Sequence, residues 1–215
     1  MDGGTVASGG RRVAESDPAI GAATAFAGLL AERGIAVGAA VTRATAPAGA
    51  VRVASVQSPP LATVVGEMLR ESDNLAAEML VKELGYRFGG VVQVDGSGLD
   101  RQDRVPCRTL AALVATGALE PEFPVAGRCG TLVGRMVGQP GDQRVVAKTG
   151  SLAGVSALSG AVGPAALAFQ PCPPAGASAE RVTFSIVFNG LPSTAAGEAV
   201  EDRIADALAG YAPGA

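Results

Sequence analysis

The chain has 215 residues, of which 48% are hydrophobic and 17% charged, a balance typical of a globular protein. It contains no histidine and three cysteines. This excludes a Ser-His-Asp triad, a Cys-His dyad, histidine-ligated zinc and a four-cysteine cluster within these residues. The formal net charge is −3 and there is no basic run, so nucleic acid is not an expected partner. The sequence predicts neither a membrane span nor an N-terminal signal peptide.

Helices are predicted to dominate the first two thirds of the chain. Residues 1–15 are Gly-rich and polar and are interpreted as a linker or arm. Asp17 and Pro18 form a helix start, and this helix is expected to end at Gly34. The pattern then predicts short strands over 35–41 and 51–56, helices over 60–69 and 75–84 with a bend between them, a turn at 95–98 and a helix over 108–116.

The last third of the chain changes to a strand-like pattern. Strands are predicted over 144–148, 155–162 and 182–188, with a long hairpin loop over 164–180 and an amphipathic helix over 198–208. Strands and helices do not alternate regularly, so the predicted fold class is α+β. We interpret 16–215 as one portion of a domain that follows the arm.

Two short motifs indicate chemistry. Ser72-Asp73-Asn74 lies between two predicted helices, and Lys148-Thr149-Gly150-Ser151 lies at the end of a predicted strand. Lysine occurs at two positions in the chain, 82 and 148, so its presence in the second motif is informative. Taken alone, the first motif is better explained by helix capping and the second by a strand-to-turn junction. Together and in this order they resemble two of the three signature motifs of penicillin-binding proteins and related β-lactamases.

A closer resemblance is carried by residues 59–78, 95–99, 104–105, 130–132 and 147–158. Together these stretches resemble the D-alanyl-D-alanine carboxypeptidase/endopeptidase family of low-molecular-mass, serine-type penicillin-binding proteins. The resemblance implies the C-terminal part of a β-lactamase/transpeptidase-like domain: a helical region, an antiparallel sheet and a C-terminal helix. The resemblance extends over about 17–209.

The chain departs from this family at the nucleophile. The remaining signature motif of the family is Ser-x-x-Lys, whereas Met79 and Val145 stand three residues before the two lysines. We therefore expect the chain to be the C-terminal part of a longer protein whose nucleophile and export signal lie upstream.

The resemblance implies an acyl-serine mechanism that acts on peptidoglycan stem peptides, is inhibited by β-lactams, and needs no metal or cofactor. It also implies an extracytoplasmic location for the full-length protein, in the cell wall or periplasm. Ser72 would relay a proton to the leaving D-alanine amine. Asn74 would hydrogen-bond the substrate carbonyl and hold the lysine of the absent motif. Lys148 would raise the local positive potential.

The rest of the second motif would bind the substrate. Thr149 and Ser151 would bind its terminal carboxylate, and Gly150 would allow its backbone to approach like an added strand. The backbone N–H of Ser151 would supply one of two oxyanion-hole donors. All these roles require Lys148 and the bend at Ser72 to face one another across one cleft.

Two alternatives come from other classes of protein. One is a non-catalytic muropeptide-binding remnant, which keeps the carboxylate-binding residues without turnover. The other is an inert α+β fragment that exposes an apolar face of its sheet and aggregates. The sequence leaves open whether a carboxypeptidase or an endopeptidase activity is preferred.

Overall fold

The structure is a computed structural model that describes residues 4–8, 11–85, 91–163 and 181–211. It separates into two compact units, Met1–Ser58 and Pro59–Ala215. The interpretation of 1–15 as an arm and of 16–215 as one domain portion stays a prediction. The predicted loop over 164–180 lies outside the described residues.

The first unit contains one antiparallel strand pair and one helix. Strand β1 (Gly4–Ser8) pairs with β2 (Arg11–Glu15), inside the segment interpreted as a linker or arm. Helix α1 (Pro18–Glu32) begins as predicted, because the Asp17 side chain accepts a hydrogen bond from the N–H of Ile20 at 3.2 Å.

The strands predicted over 35–41 and 51–56 are wrong, because neither segment is a strand. Val51, Val53 and Val56 are 84%, 98% and 97% exposed. An alternating pattern forms a strand when a partner satisfies its backbone and covers its apolar side. Within the part of the chain that the structure describes, no strand pairs with 51–56, and these three valines are left exposed.

The second unit begins with the helices that carry the first motif. Helix α2 (Leu61–Glu71) and helix α3 (Asn74–Leu84) flank the predicted bend, and Gly85 ends α3 in a left-handed conformation. Helix α4 (Cys107–Ala115) follows, then two 3₁₀ turns at Glu120–Glu122 and Gly130–Leu132. The helical predictions for this region are confirmed to within about two residues.

Three antiparallel strands and a final helix complete the second unit. The strands are β3 (Val145–Leu152), β4 (Val155–Val162) and β5 (Val182–Asn189), in the order β3-β4-β5. Helix α5 (Thr194–Gly210) starts at the cap residue Ser193. The second motif lies within β3 and not at its end, because pairing with β4 continues to Leu152 opposite Val155.

The sheet has an apolar cluster on each face, and β3 contributes to both. Its alternate residues Val145 and Ala147 pack with Ala205 and Ala209 of α5. Val146, between them, packs with Leu69 of α2 and with Phe123. Because side chains alternate between faces along a strand, the next residues of β3 are divided between α5 and α2 in the same way. This α+β arrangement is the one expected of a transpeptidase-like domain.

Candidate active site

Ser72 occupies a strained bend between α2 and α3. It has φ 54° and ψ 51°, a left-handed conformation that favours glycine. The bend is held on both sides: the N–H of Asp73 donates to the carbonyl of Met68 at 3.1 Å, and the Asp73 carboxylate caps α3 by accepting from the N–H of Ala76 at 3.1 Å. These local bonds compensate for the strain and fix the position of the Ser72 hydroxyl.

Lys148 meets this hydroxyl from β3. Its Nζ donates to Ser72 Oγ at 2.7 Å and to the carbonyl oxygen of Thr149 at 2.6 Å. The two predicted motifs, 76 residues apart in sequence, therefore lie in direct contact. The juxtaposition on which the sequence interpretation depends is present.

Burial lowers the pKa of Lys148 from its ordinary value of 10.5 to about 8. The cause is desolvation, which disfavours the charged form of an amine. An ammonium has three donor hydrogens, and two of them bond to Ser72 and Thr149. Since Lys148 donates to Ser72 Oγ, the hydroxyl hydrogen of Ser72 is available for a second acceptor. This is the geometry that a proton relay needs.

The edge of β3 that faces away from β4 is paired with another segment as far as Ala147 and is unpaired beside the motif residues that follow. The segment 124–126 pairs with this edge: Ala126 N–H donates to Val145 O at 2.9 Å, and Ala147 N–H donates to Pro124 O at 3.0 Å. Beyond Ala147, no backbone hydrogen bond from the described residues reaches this edge. Backbone groups of alternate residues point to the same edge, so the N–H groups of Thr149 and Ser151 face the open part.

Thr131 is a residue of the site to which the sequence analysis assigned no role. Its hydroxyl lies 2.8 Å from that of Thr149. The 3₁₀ turn that carries it approaches α2 closely, since a Cβ on Gly130 would lie 2.7 Å from the carbonyl oxygen of Arg70, and Gly130 has φ 61°. The Gly-Thr-Leu stretch noted in the resemblance was the signal that could have identified Thr131.

The remaining predicted residues are less enclosed. Asn74 is exposed at the first position of α3, and no side-chain hydrogen bond joins it to another described residue. A Cβ on Gly150 would lie 3.3 Å from that of Ala157 on β4. The absence of a side chain at Gly150 therefore eases the packing of β3 on β4, apart from any close approach by a ligand. Ser151 is exposed and donates its hydroxyl hydrogen to Glu198 Oε1 of α5 at 3.3 Å. Nothing in the sequence pointed to Glu198.

A buried ion-pair cluster holds α5 against the motif strand. Glu201 is fully buried and accepts from Ser156 Oγ at 2.6 Å. Arg135 bonds to Glu201 at 3.0 Å, to Asp202 at 2.6 Å and to the backbone carbonyl of Glu198 at 3.2 Å. Because Arg135 compensates the buried carboxylate, the first turns of α5 are fixed beside Ser151.

The fold and this arrangement define a transpeptidase-like domain, and comparison with known proteins agrees. Residues 5–89 and 82–211 match the D-Ala-D-Ala carboxypeptidase 3 (S13) family. The chain belongs to this family.

Individual relatives agree with this assignment. A D-alanyl-D-alanine carboxypeptidase of Actinomadura sp. is 34% identical over 191 residues, which span 72% of this chain and 33% of the relative. A carboxypeptidase of Mycobacterium tuberculosis is 35% identical over 159 residues, 57% of this chain and 34% of that protein. Penicillin binding protein 4 of Haemophilus influenzae, solved with a β-lactam, superimposes with a TM-score of 0.66 and 25% identity, covering 94% of this chain and 53% of that one.

The chain spans about a third of the length of the curated relatives that it matches. Within the ranges that the structure describes, no helix combines the length and the apolar character needed to cross a membrane.

Proposed function

We propose that this chain forms the part of a serine-type D-Ala-D-Ala carboxypeptidase/endopeptidase site that relays protons and binds the substrate's C-terminal end. The substrates would be peptidoglycan stem peptides, and the enzyme would act through an acyl-serine. The 2.7 Å contact between Lys148 Nζ and Ser72 Oγ carries the proposal, because it unites two motifs in the geometry of a relay.

The relay follows from the donors and acceptors. Lys148 donates to Ser72, so the hydroxyl hydrogen of Ser72 can pass to the amine of the leaving D-alanine, and Lys148 can replace it. A lysine pKa of about 8 keeps most of the side chain protonated at neutral pH and makes proton transfer easier than for an ordinary lysine. The nucleophile would come from a Ser-x-x-Lys segment outside these 215 residues.

The open edge of β3 supports the proposed mode of substrate binding. An extended peptide can add to it as a strand, with its C-terminal group near the hydroxyls of Thr149 and Ser151. The N–H of Ser151 faces the same edge and would serve as an oxyanion-hole donor. Asn74, exposed at the start of α3, would contact the substrate carbonyl and the lysine of the Ser-x-x-Lys segment. β-Lactams would act as inhibitors because they mimic the scissile peptide bond.

We place the full-length enzyme outside the cytoplasmic membrane, in the cell wall or periplasm. Its proposed substrate is found there. In addition, Cys129 is disulfide-bonded, and structural disulfides persist in oxidising compartments.

A chimaera tests the proposal. In the Actinomadura enzyme, the segment aligned to residues 59–211 is replaced by that of this chain, and acylation by a fluorescent penicillin is timed. We expect labelling, and we expect Lys148→Met to slow it by about 10²-fold or more, as for loss of a proton-transfer group. Lys82→Met removes the other lysine, which is exposed near the end of α3, and should label at the unchanged rate.

Two results would contradict the proposal. One is a chimaera that is folded by circular dichroism but not labelled. The other is a Lys148→Met chimaera labelled as fast as the Lys82→Met control. A folded, unlabelled chimaera that still binds an acyl-D-Ala-D-Ala peptide would favour the non-catalytic muropeptide-binding alternative. The 215-residue chain alone should not be labelled, because it contains no Ser-x-x-Lys.

A further inference from the structure

Two serine–glutamate pairs lie side by side between the sheet and α5. Ser151 and Ser156 are cross-strand partners in β3 and β4. Glu198 and Glu201 are three residues apart on α5, so they share one helix face. Each serine donates its hydroxyl hydrogen to one glutamate, Ser156 at 2.6 Å and Ser151 at 3.3 Å.

The two pairs differ in charge compensation and in exposure. Ser156 and Glu201 are fully buried, and Arg135 neutralises this glutamate. Ser151 is exposed, and Arg135 reaches Glu198 through its backbone carbonyl, not its carboxylate. Among the described residues no cation forms an ion pair with Glu198. The outer pair therefore presents an uncompensated negative charge at the end of the motif.

This charge lies where the proposed site would receive the C-terminal group of its substrate. A hydroxyl has one hydrogen to donate. While Ser151 donates to Glu198, its oxygen can accept a hydrogen bond but cannot donate one to a carboxylate. The carboxylate of Glu198 also repels an anion placed beside Ser151. A neutral carboxamide or a continuing peptide bond avoids this repulsion and supplies an N–H, which Ser151 Oγ or Glu198 can accept.

We propose that Glu198 is a specificity-determining residue that disfavours a free terminal carboxylate beside Ser151 and favours a neutral, N–H-bearing group there. This inference rests on the proposed function and refines its substrate class. Glu198 would shift the preference of the site from release of a terminal residue towards cleavage within a peptide or before an amidated end.

The test uses the full 215-residue chain and two probes, N-acyl-D-alanyl-D-alanine and its C-terminal amide. Each is titrated by NMR into the wild type, Glu198→Gln and Glu83→Gln. The last variant makes the same change of charge at an exposed position near the end of α3. The readout is the ratio of the dissociation constants for acid and amide, in which general effects on folding cancel. A general effect of net charge acts on the acid alone and is measured by Glu83→Gln.

In Glu198→Gln we expect this ratio to fall by about 2- to 5-fold, the range for one solvent-screened charge interaction. Glu83→Gln should leave the ratio unchanged. In the wild type, the ratio should fall at high salt, because screening weakens the repulsion. Equal ratios in the wild type and in Glu198→Gln overturn this inference while leaving the proposed function intact. If no variant binds either peptide, the assignment of the carboxylate-binding strand is overturned, and this inference with it.

Discussion

The two faces of β3 carry side chains of different charge and different exposure to solvent. On the face towards α2, Lys148 is a half-buried cation. It donates hydrogen bonds to two neutral acceptors within the protein, Ser72 Oγ and the carbonyl of Thr149. On the face towards α5, Ser151 is exposed and pairs with an anion, Glu198. Because side chains alternate along a strand, a desolvated cation and a solvated hydroxyl three positions apart lie on opposite faces of the same edge strand. The same edge strand thus carries the residue proposed for proton transfer and a residue proposed for substrate recognition.

The largest effect is expected where the α5 face is anchored. Arg135→Met leaves Glu201 fully buried without its cation, and breaking a buried pair from one side costs about 3–5 kcal/mol. Urea denaturation measures the loss. As a control, Arg203→Met removes an exposed arginine of α5 and should cost less than about 0.5 kcal/mol. Equal losses for both variants would show that the cluster does not anchor α5.

The desolvation of Lys148, on the α2 face, should make the free energy of unfolding depend on pH in the alkaline range. In the unfolded chain Lys148 keeps its proton up to about pH 10.5, whereas in the folded protein it loses it near pH 8. The folded state therefore binds fewer protons between these values, and the free energy of unfolding rises with pH across this window. The rise attributable to Lys148 should be on the order of 3 kcal/mol or less.

Lys148→Met should lose that rise, and Lys82→Met should keep it. Urea denaturation at intervals from pH 7.5 to pH 10.5 makes the comparison. If Lys148→Met follows the same pH curve as the wild type, the lysine is not desolvated as the structure indicates.

A smaller effect separates the strain at Ser72 from the function of its hydroxyl. Ser72→Ala and Ser72→Gly both remove Oγ, but alanine keeps a Cβ in the left-handed conformation with φ 54°. The glycine variant should be more stable than the alanine variant by about 1 kcal/mol. Thermal denaturation measures the difference. Equal stability would mean that the bend relaxes once the bond to Lys148 is lost.

The smallest effect is expected at the pair of threonine hydroxyls. Thr131→Val removes the 2.8 Å contact with Thr149, so the Thr149 hydroxyl is less well oriented towards a carboxylate. Binding of N-acyl-D-alanyl-D-alanine should weaken by about 3-fold, a loss within the range for one exposed hydrogen bond. Thr131→Ser keeps the hydroxyl and should bind like the wild type. If Thr131→Ser weakens binding as much as Thr131→Val, the methyl group and not the hydroxyl matters.

Local signals made the helical part of this fold predictable. Asp17 and Gly85 act on backbone groups within a few residues of themselves, so the sequence near them contains the cause of the boundary. The strand predictions succeeded where a partner strand follows, as over 155–162, and failed over 51–56, where alternation is present without a partner. The periodicity of a sequence indicates which side chains prefer burial. A β-ladder also needs a second strand that supplies hydrogen-bond partners for the backbone.

The sequence motifs predicted that Ser72 and Lys148 lie in one site, and the two side chains are in contact. Their catalytic roles stay predictions. Glu198 was missed, since it lies 47 residues from Ser151 in a helix whose charged residues resemble any solvated face. Thr131 lies within one of the stretches that resemble the family, but its partner Thr149 is 18 residues away and only the fold brings the two together.

The sequence by itself determined the fold class, most of the helix boundaries and the two motifs, because these depend on short-range bonding and on residue identity. The start of α5 lies four residues before the predicted position 198. The tertiary structure alone decided that segment 124–126 covers β3 as far as Ala147, that Arg135 neutralises Glu201, and that Glu198 stands beside Ser151. Those features arise from contacts between distant parts of the chain. Their energies depend on burial and on which charges meet, and neither quantity can be calculated from residues considered one segment at a time.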